Sequence, residues 1–97
     1  MVKVELVDVK NRIKEMIVAL VNVHLDIDLT INDIVDDTDL TNSRNIPLDS
    51  ITAMRLLVEI EKEYNIEIPD ESLEMKFFKN IDTIGSFVFE IINQYDV

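Results

Sequence analysis

Cysteine is absent from this chain, glycine occurs once and proline twice. Without cysteine there is no disulfide scaffold and no thiolate metal site, as suits a reducing compartment. One glycine and two prolines are too few for the tight hairpins of an all-β architecture. Histidine is represented by His24 alone, with no partner at useful spacing, and it is read as part of the end of the first helix. Long apolar runs are missing too. The longest, Met16 to Val23, is interrupted by Asn22 and falls well short of the ~20 residues that cross a bilayer. No basic start leads into a sustained apolar segment, so the expected protein is cytoplasmic and makes no use of a membrane. Positive charge is scarce: 9 Lys and Arg stand against 20 Asp and Glu, a net charge of −11. Residues 1–23 carry +1, residues 24–49 carry −6 and residues 50–97 carry −6. Such a chain is repelled by phosphate backbones, which sets nucleic acid aside, and is steered toward basic protein surfaces.

What remains is 47% apolar residues in 97, enough for one globular domain over residues 1–97. Leu6, Val9, Ile13, Met16, Ile17 and Leu20 recur at three- and four-residue steps and predict a first helix over about residues 3–23. Residues 24–49 lose that period and read as a long ordered connection with a helical turn near Asn32–Val35. Leu29, Ile31, Ile34, Leu40 and Ile46 are expected to pin it to the core. A second helix is predicted over about residues 50–64, with Ala53, Leu56, Leu57, Ile60 and Tyr64 as its core stripe, Asn65 as its stop and Pro69 beyond. A short third helix over about residues 70–76 carries Leu73 and Met75. Asp82 is expected to cap a fourth over about residues 83–94, with Ile84, Phe87, Val88, Ile91, Ile92 and Tyr95 facing inward. The expected fold is all-α, a four-helix bundle with a long connection between helices 1 and 2 and a short helix 3.

The second helix holds the candidate site. Beside its core stripe it has another apolar row, Ile51, Met54 and Val58, a quarter turn or more away and rimmed by Arg55, Glu61 and Lys62. A helix in a small bundle hides one face well, so this row reads as a docking surface; the competing reading is that the third helix covers it. Ser50 stands at the mouth of this helix behind Asp49. A phosphoester there would face unsatisfied backbone N–H groups and the positive end of the helix dipole, although a serine at a helix start is more often a plain cap. Nothing in the chain equips Ser50 as a nucleophile: no Gly-x-Ser-x-Gly elbow surrounds it, and His24 is remote in sequence. The aspartates Asp26, Asp28, Asp33, Asp36, Asp37 and Asp39 lack the alternating ligands, central glycine and terminal glutamate of a calcium loop and read as a solvated acidic segment.

Leu48-Asp49-Ser50-Ile51, the amphipathic helix after it, and Ile66-Glu67-Ile68-Pro69-Asp70 resemble the acyl and peptidyl carrier proteins, whose hallmark is Asp-Ser-Leu at the head of the second helix of a four-helix bundle. Thr38-Asp39-Leu40 and Phe78 through Val88 extend the resemblance over most of the chain. It implies that a phosphopantetheinyl transferase moves 4′-phosphopantetheine from coenzyme A onto Ser50, the arm's thiol then holding acyl or aminoacyl groups as thioesters. By the same analogy Asp49 helps the transferase recognise the site, while Ile51, Met54, Arg55, Val58, Glu61 and Lys62 meet partner enzymes. Those partners are loading and condensing enzymes, and the carrier itself is non-catalytic and a monomer. Pro47 stands where many members have glycine, and Ile51 replaces the usual leucine. Arg55 and Lys62 leave the second helix nearly neutral, where fatty-acid carriers usually present acid. The expected protein is a free-standing carrier of a specialised polyketide or nonribosomal-peptide-like pathway. The alternatives are a housekeeping fatty-acid acyl carrier protein and an unmodified helical adaptor of the same shape.

Overall fold

The computed structural model describes residues 4–25, 28–37, 39–40, 50–68 and 78–95. Three α-helices account for most of them: α1 (Leu6–Leu25), α2 (Ser50–Tyr64) and α3 (Ile81–Tyr95). Among the described residues there is no strand. The all-helical class expected from the periodicity therefore holds. The expected third helix, near residues 70–76, lies outside the described residues, and the fourth expected helix is α3.

α1 is the axis of the fold and packs against both α2 and α3. Its 20 residues contain no glycine or proline and span about 30 Å. Val9, Ile13, Ile17 and Val21 are completely buried along one stripe, with Met16 beside them. Each buried aliphatic side chain of this kind contributes roughly 1.5–3 kcal/mol of transfer free energy. The helix starts later than residue 3 and ends at Leu25, and the chain is then held by Asn22. The Asn22 amide donates to the Leu29 carbonyl and its carbonyl accepts from the Leu29 N–H, both at 2.8 Å.

The acidic connection is hung on the helices by backbone as well as side chains. A single 3-10 turn, Ile31–Asp33, forms where a helical turn was expected near Asn32–Val35. The Thr30 N–H and hydroxyl both donate to the Asp33 carboxylate, at 2.8 and 3.1 Å. Leu29, Ile34 and Leu40 are buried, but Ile31 is 42% exposed and does not pin the connection. Ile31 opens the turn, whereas Ile34 follows it in extended backbone, so the two side chains are not aimed by one helical repeat. Farther along, the Leu40 N–H donates to the Lys79 carbonyl at 2.6 Å, and the Asp82 N–H to the Asp36 carbonyl at 3.1 Å. Ile46 lies outside the described residues.

α2 buries Ala53, Leu56, Leu57 and Ile60, with Tyr64 half-buried at its end. Asn65 stops it in the left-handed conformation (φ 53°), which asparagine tolerates better than most residues. The Ile66 N–H reaches back to the Glu61 carbonyl at 3.1 Å, closing the six-to-one bond of a Schellman motif. Ile66 and Ile68 then turn inward on either side of exposed Glu67, the alternation of an extended segment.

The cap of α3 is Asn80, not Asp82. The Asn80 side-chain oxygen accepts from the Thr83 N–H at 2.7 Å and from its hydroxyl at 2.9 Å, so the helix opens at Ile81. Asp82 sits inside the first turn, where its carboxylate takes a hydrogen bond from the Lys10 ammonium of α1 at 2.7 Å. Lys10 also lies 3.9 Å from Asp36, whose other oxygen is 2.5 Å from Lys14, so one acidic residue of the connection faces two bases of α1. The hydrogen bond to Asp82 raises the Lys10 pKa above its ordinary value, against the opposing effect of burial. Gly85, the single glycine, makes room for that side chain: a Cβ there would stand 2.7 Å from Lys10 Cγ. Ile81, Ile84 and Val88 are completely buried, and Phe78 just ahead of the helix is 2% exposed.

Candidate functional site

Ser50 is the first residue of α2. The backbone N–H groups of the first turn have no intrahelical partner at that end, and the helix dipole presents its positive pole there. A primary hydroxyl at such a position is chemically suited to carry a phosphoester, whose charge would meet those N–H groups. Asp49 and Pro47 lie outside the described residues.

The second apolar row faces away from the core. Ile51 is 65% exposed, Met54 47% and Val58 44%. At 100° per residue the row is centred about 140° around α2 from the stripe of Ala53, Leu56, Leu57 and Ile60, so it stands on the opposite side rather than on a flank. Arg55 and Lys62 are exposed beside it. The helix's three glutamates are drawn to its flanks. Glu63 accepts from Arg12 of α1 at 2.9 Å, Glu61 accepts from the Ile68 N–H at 2.9 Å, and Glu59 lines a groove against α1. Glu61, expected to meet partners with the row, is thus engaged in holding the segment after α2. The outward side of α2 is apolar and basic although the chain as a whole is strongly acidic.

The groove is a feature that periodicity does not show. It is about 250 Å³ in volume and runs between α1 and α2, with Met16, Ala19, Leu20 and Val23 as its apolar lining and Arg12, Glu15 and Glu59 at its edges. Arg12 donates to Glu15 at 3.1 Å as well as to Glu63, and the bond to Glu63 is the main reason its pKa rises above the ordinary value. Arg12 lies at the Glu63 end of α2, while residues 16–23 line the groove with Glu59. The two helices are therefore antiparallel, and the C-terminal end of α1 approaches the Ser50 end of α2. Only the Glu15, Ala19, Val23 spacing in the sequence, one side of a helix interrupted by a small residue, could have hinted at the groove.

Burial raises the pKa of Tyr64 where α2 meets α1. Among the described residues no group of three or more His, Asp or Glu is placed to hold a metal ion. No described helix is long and apolar enough to cross a membrane.

Residues 12–88 match the family described as phosphopantetheine attachment site. Over 65 residues the chain is 32% identical to an acyl carrier protein of Phytoplasma mali (strain AT), a span covering 67% of this chain and 73% of that relative. No solved structure gives a significant match.

Proposed function

This chain belongs to the phosphopantetheine attachment family, and from that membership we propose that Ser50 is the residue bearing its prosthetic arm. The protein is a non-catalytic carrier with covalently attached 4′-phosphopantetheine. When attached, the arm supplies a terminal thiol that holds acyl groups as thioesters, which a chain without cysteine cannot supply itself. A phosphopantetheinyl transferase would join the Ser50 hydroxyl oxygen to the phosphorus of coenzyme A. The hydroxyl gives up its proton and the nucleotide half of coenzyme A departs.

The observation that carries this reading is the placement of Ser50 as the first residue of α2, inside the matched residues and at the head of an exposed apolar row. Ile51, Met54 and Val58 are the docking surface for the transferase and for acyl-handling enzymes, with Arg55 and Lys62 beside them and Asp49 before them. The apolar and basic outward side of α2 favours a carrier of a specialised polyketide or nonribosomal-peptide-like pathway over a housekeeping fatty-acid carrier, which the resemblance leads one to expect with an acidic helix there. The cytoplasm, where coenzyme A and a transferase are both at hand, is the compartment this reading requires.

Co-expression with a promiscuous transferase tests it. The wild-type chain should gain one phosphopantetheinyl mass, while Ser50→Ala stays folded and gains none. Met54→Glu should accept the arm more slowly. If Ser50→Ala is modified as readily as wild type, the assignment is wrong.

A further inference from the structure

We propose that the recess between α1, the acidic connection and the start of α3 docks a basic partner segment through an aliphatic side chain. This surface is separate from the α2 row, and the proposal does not depend on Ser50 being the tether.

The first argument is apolar exposure in a recess. Ile31 is 42% exposed and Val35 56%, the large apolar residues of the described connection that the core leaves in water. They line an open recess of about 670 Å³ together with Ile34, Asn11, Asn32 and Lys14. That volume falls within the roughly 300–1,000 Å³ of ligand pockets, but the wide mouth suits a protruding side chain rather than an enclosed small molecule. An aliphatic group seated there would take Ile31 and Val35 out of water with it.

The second argument is charge. Asp36, Asp37 and Asp82 edge the recess, and Asp33 stands in the turn between Ile31 and Val35. Against these four acids stand two bases, Lys10 and Lys14, which leaves the face at −2. Both bases are committed inward: Lys10 pairs with Asp82 at 2.7 Å and Lys14 with Asp36 at 2.5 Å, their side chains only 20% and 15% exposed. An approaching partner therefore meets carboxylates around aliphatic surface, on a connection that carries −6 over residues 24–49. The α2 row has bases beside it instead, Arg55 and Lys62, so a basic segment that suits the recess is disfavoured at the row.

The third argument is placement. At 100° per residue, Asn11 and Lys14 lie about 130° around α1 from Arg12, Ala19 and Val23, which line the groove toward α2. The recess and α2 are thus on different sides of the central helix, and one partner can hold the recess while another uses the row. The Leu40 N–H to the Lys79 carbonyl and the Asp82 N–H to the Asp36 carbonyl, at 2.6 and 3.1 Å, tie the connection to the head of α3 before anything docks. Such preorganisation spares a partner the cost of ordering the segment.

The test is a methyl and amide NMR titration of the whole protein with a hexapeptide of four lysines flanking two central leucines. Hexalysine, and the same peptide with glutamate for lysine, are the controls. The basic leucine peptide should move Ile31, Ile34 and Val35 saturably and leave Ile51, Met54 and Val58 in place. Hexalysine should bind at least about fivefold more weakly, and the acidic peptide should not move the recess. Ile31→Ser and Val35→Ser combined, both at exposed positions, should cost about tenfold in affinity. Shifts centred on the α2 row, equal binding of hexalysine, no loss in the doubly substituted chain, or no saturable shift would overturn the proposal. So would movement of the recess signals on simple dilution, which would give the face to a second copy of the chain.

Discussion

Leu57 and Val58 are neighbours in sequence and face opposite ways in the fold. Leu57 is 4% exposed in the core stripe of α2, and Val58 is 44% exposed in the row beside Ser50. Leu57→Ala should cost about 2–5 kcal/mol by leaving a cavity that its neighbours only partly fill. Val58→Ala should cost no more than about 0.5 kcal/mol, because its methyls already face water. Urea unfolding of the two variants checks this, and equal losses would contradict the assignment of faces. The face was legible because a helix repeats every 3.6 residues and the two rows fall on different sides. The choice of cap was less so. Asn80 and Asp82 are both good N-cap types, and nothing local says that Lys10, 72 positions away, takes the aspartate.

At the scale of elements, α1 is packed on α3 around a notch rather than a flat stripe. Glycine inside a helix costs about 1 kcal/mol relative to alanine, so Gly85 is tolerated for what crosses it. The Lys10 stem lies over it, and its ammonium is anchored on Asp82, so the stem cannot simply swing aside. Gly85→Ala should therefore destabilise the protein despite its better helix propensity. In a Lys10→Ala background the same change should become neutral or stabilising by up to ~1 kcal/mol. Thermal or urea unfolding of the four variants measures that change of sign, and its absence would refute the notch. The helices themselves were readable from spacing, and α2 occupies residues 50–64 as its pattern predicts. The groove between α1 and α2 was not readable, because it depends on how two helices sit side by side. Ile31 was misplaced for a related reason: apolar character alone does not say which way a residue in an aperiodic segment turns.

For the molecule as a whole, a chain at −11 ties its helices and the acidic connection together through bases of α1. Lys10 reaches from α1 to α3 and the connection, and Arg12 from α1 to α2. The pKa of Lys10 is raised above 10.5 by its hydrogen bond to Asp82, and that of Tyr64 above 10.0 by burial. In each case the folded state holds the proton more tightly than the unfolded chain does. Both contributions are therefore complete below those ordinary values and are lost as pH rises through the folded-state values. The unfolding temperature should be insensitive to these groups near neutral pH and fall above about pH 10, less steeply in Lys10→Gln. An alkaline limb identical in Lys10→Gln and wild type would show that the clasp contributes nothing.

The tether itself is tested most directly by peptide-level mass spectrometry of the protein taken from the cell that makes it. The expected result is a phosphopantetheine phosphoester on the peptide bearing Ser50 and on no other. An arm on Ser43, Ser72 or Ser86 instead, or none where coenzyme A and an active transferase are present, would contradict it.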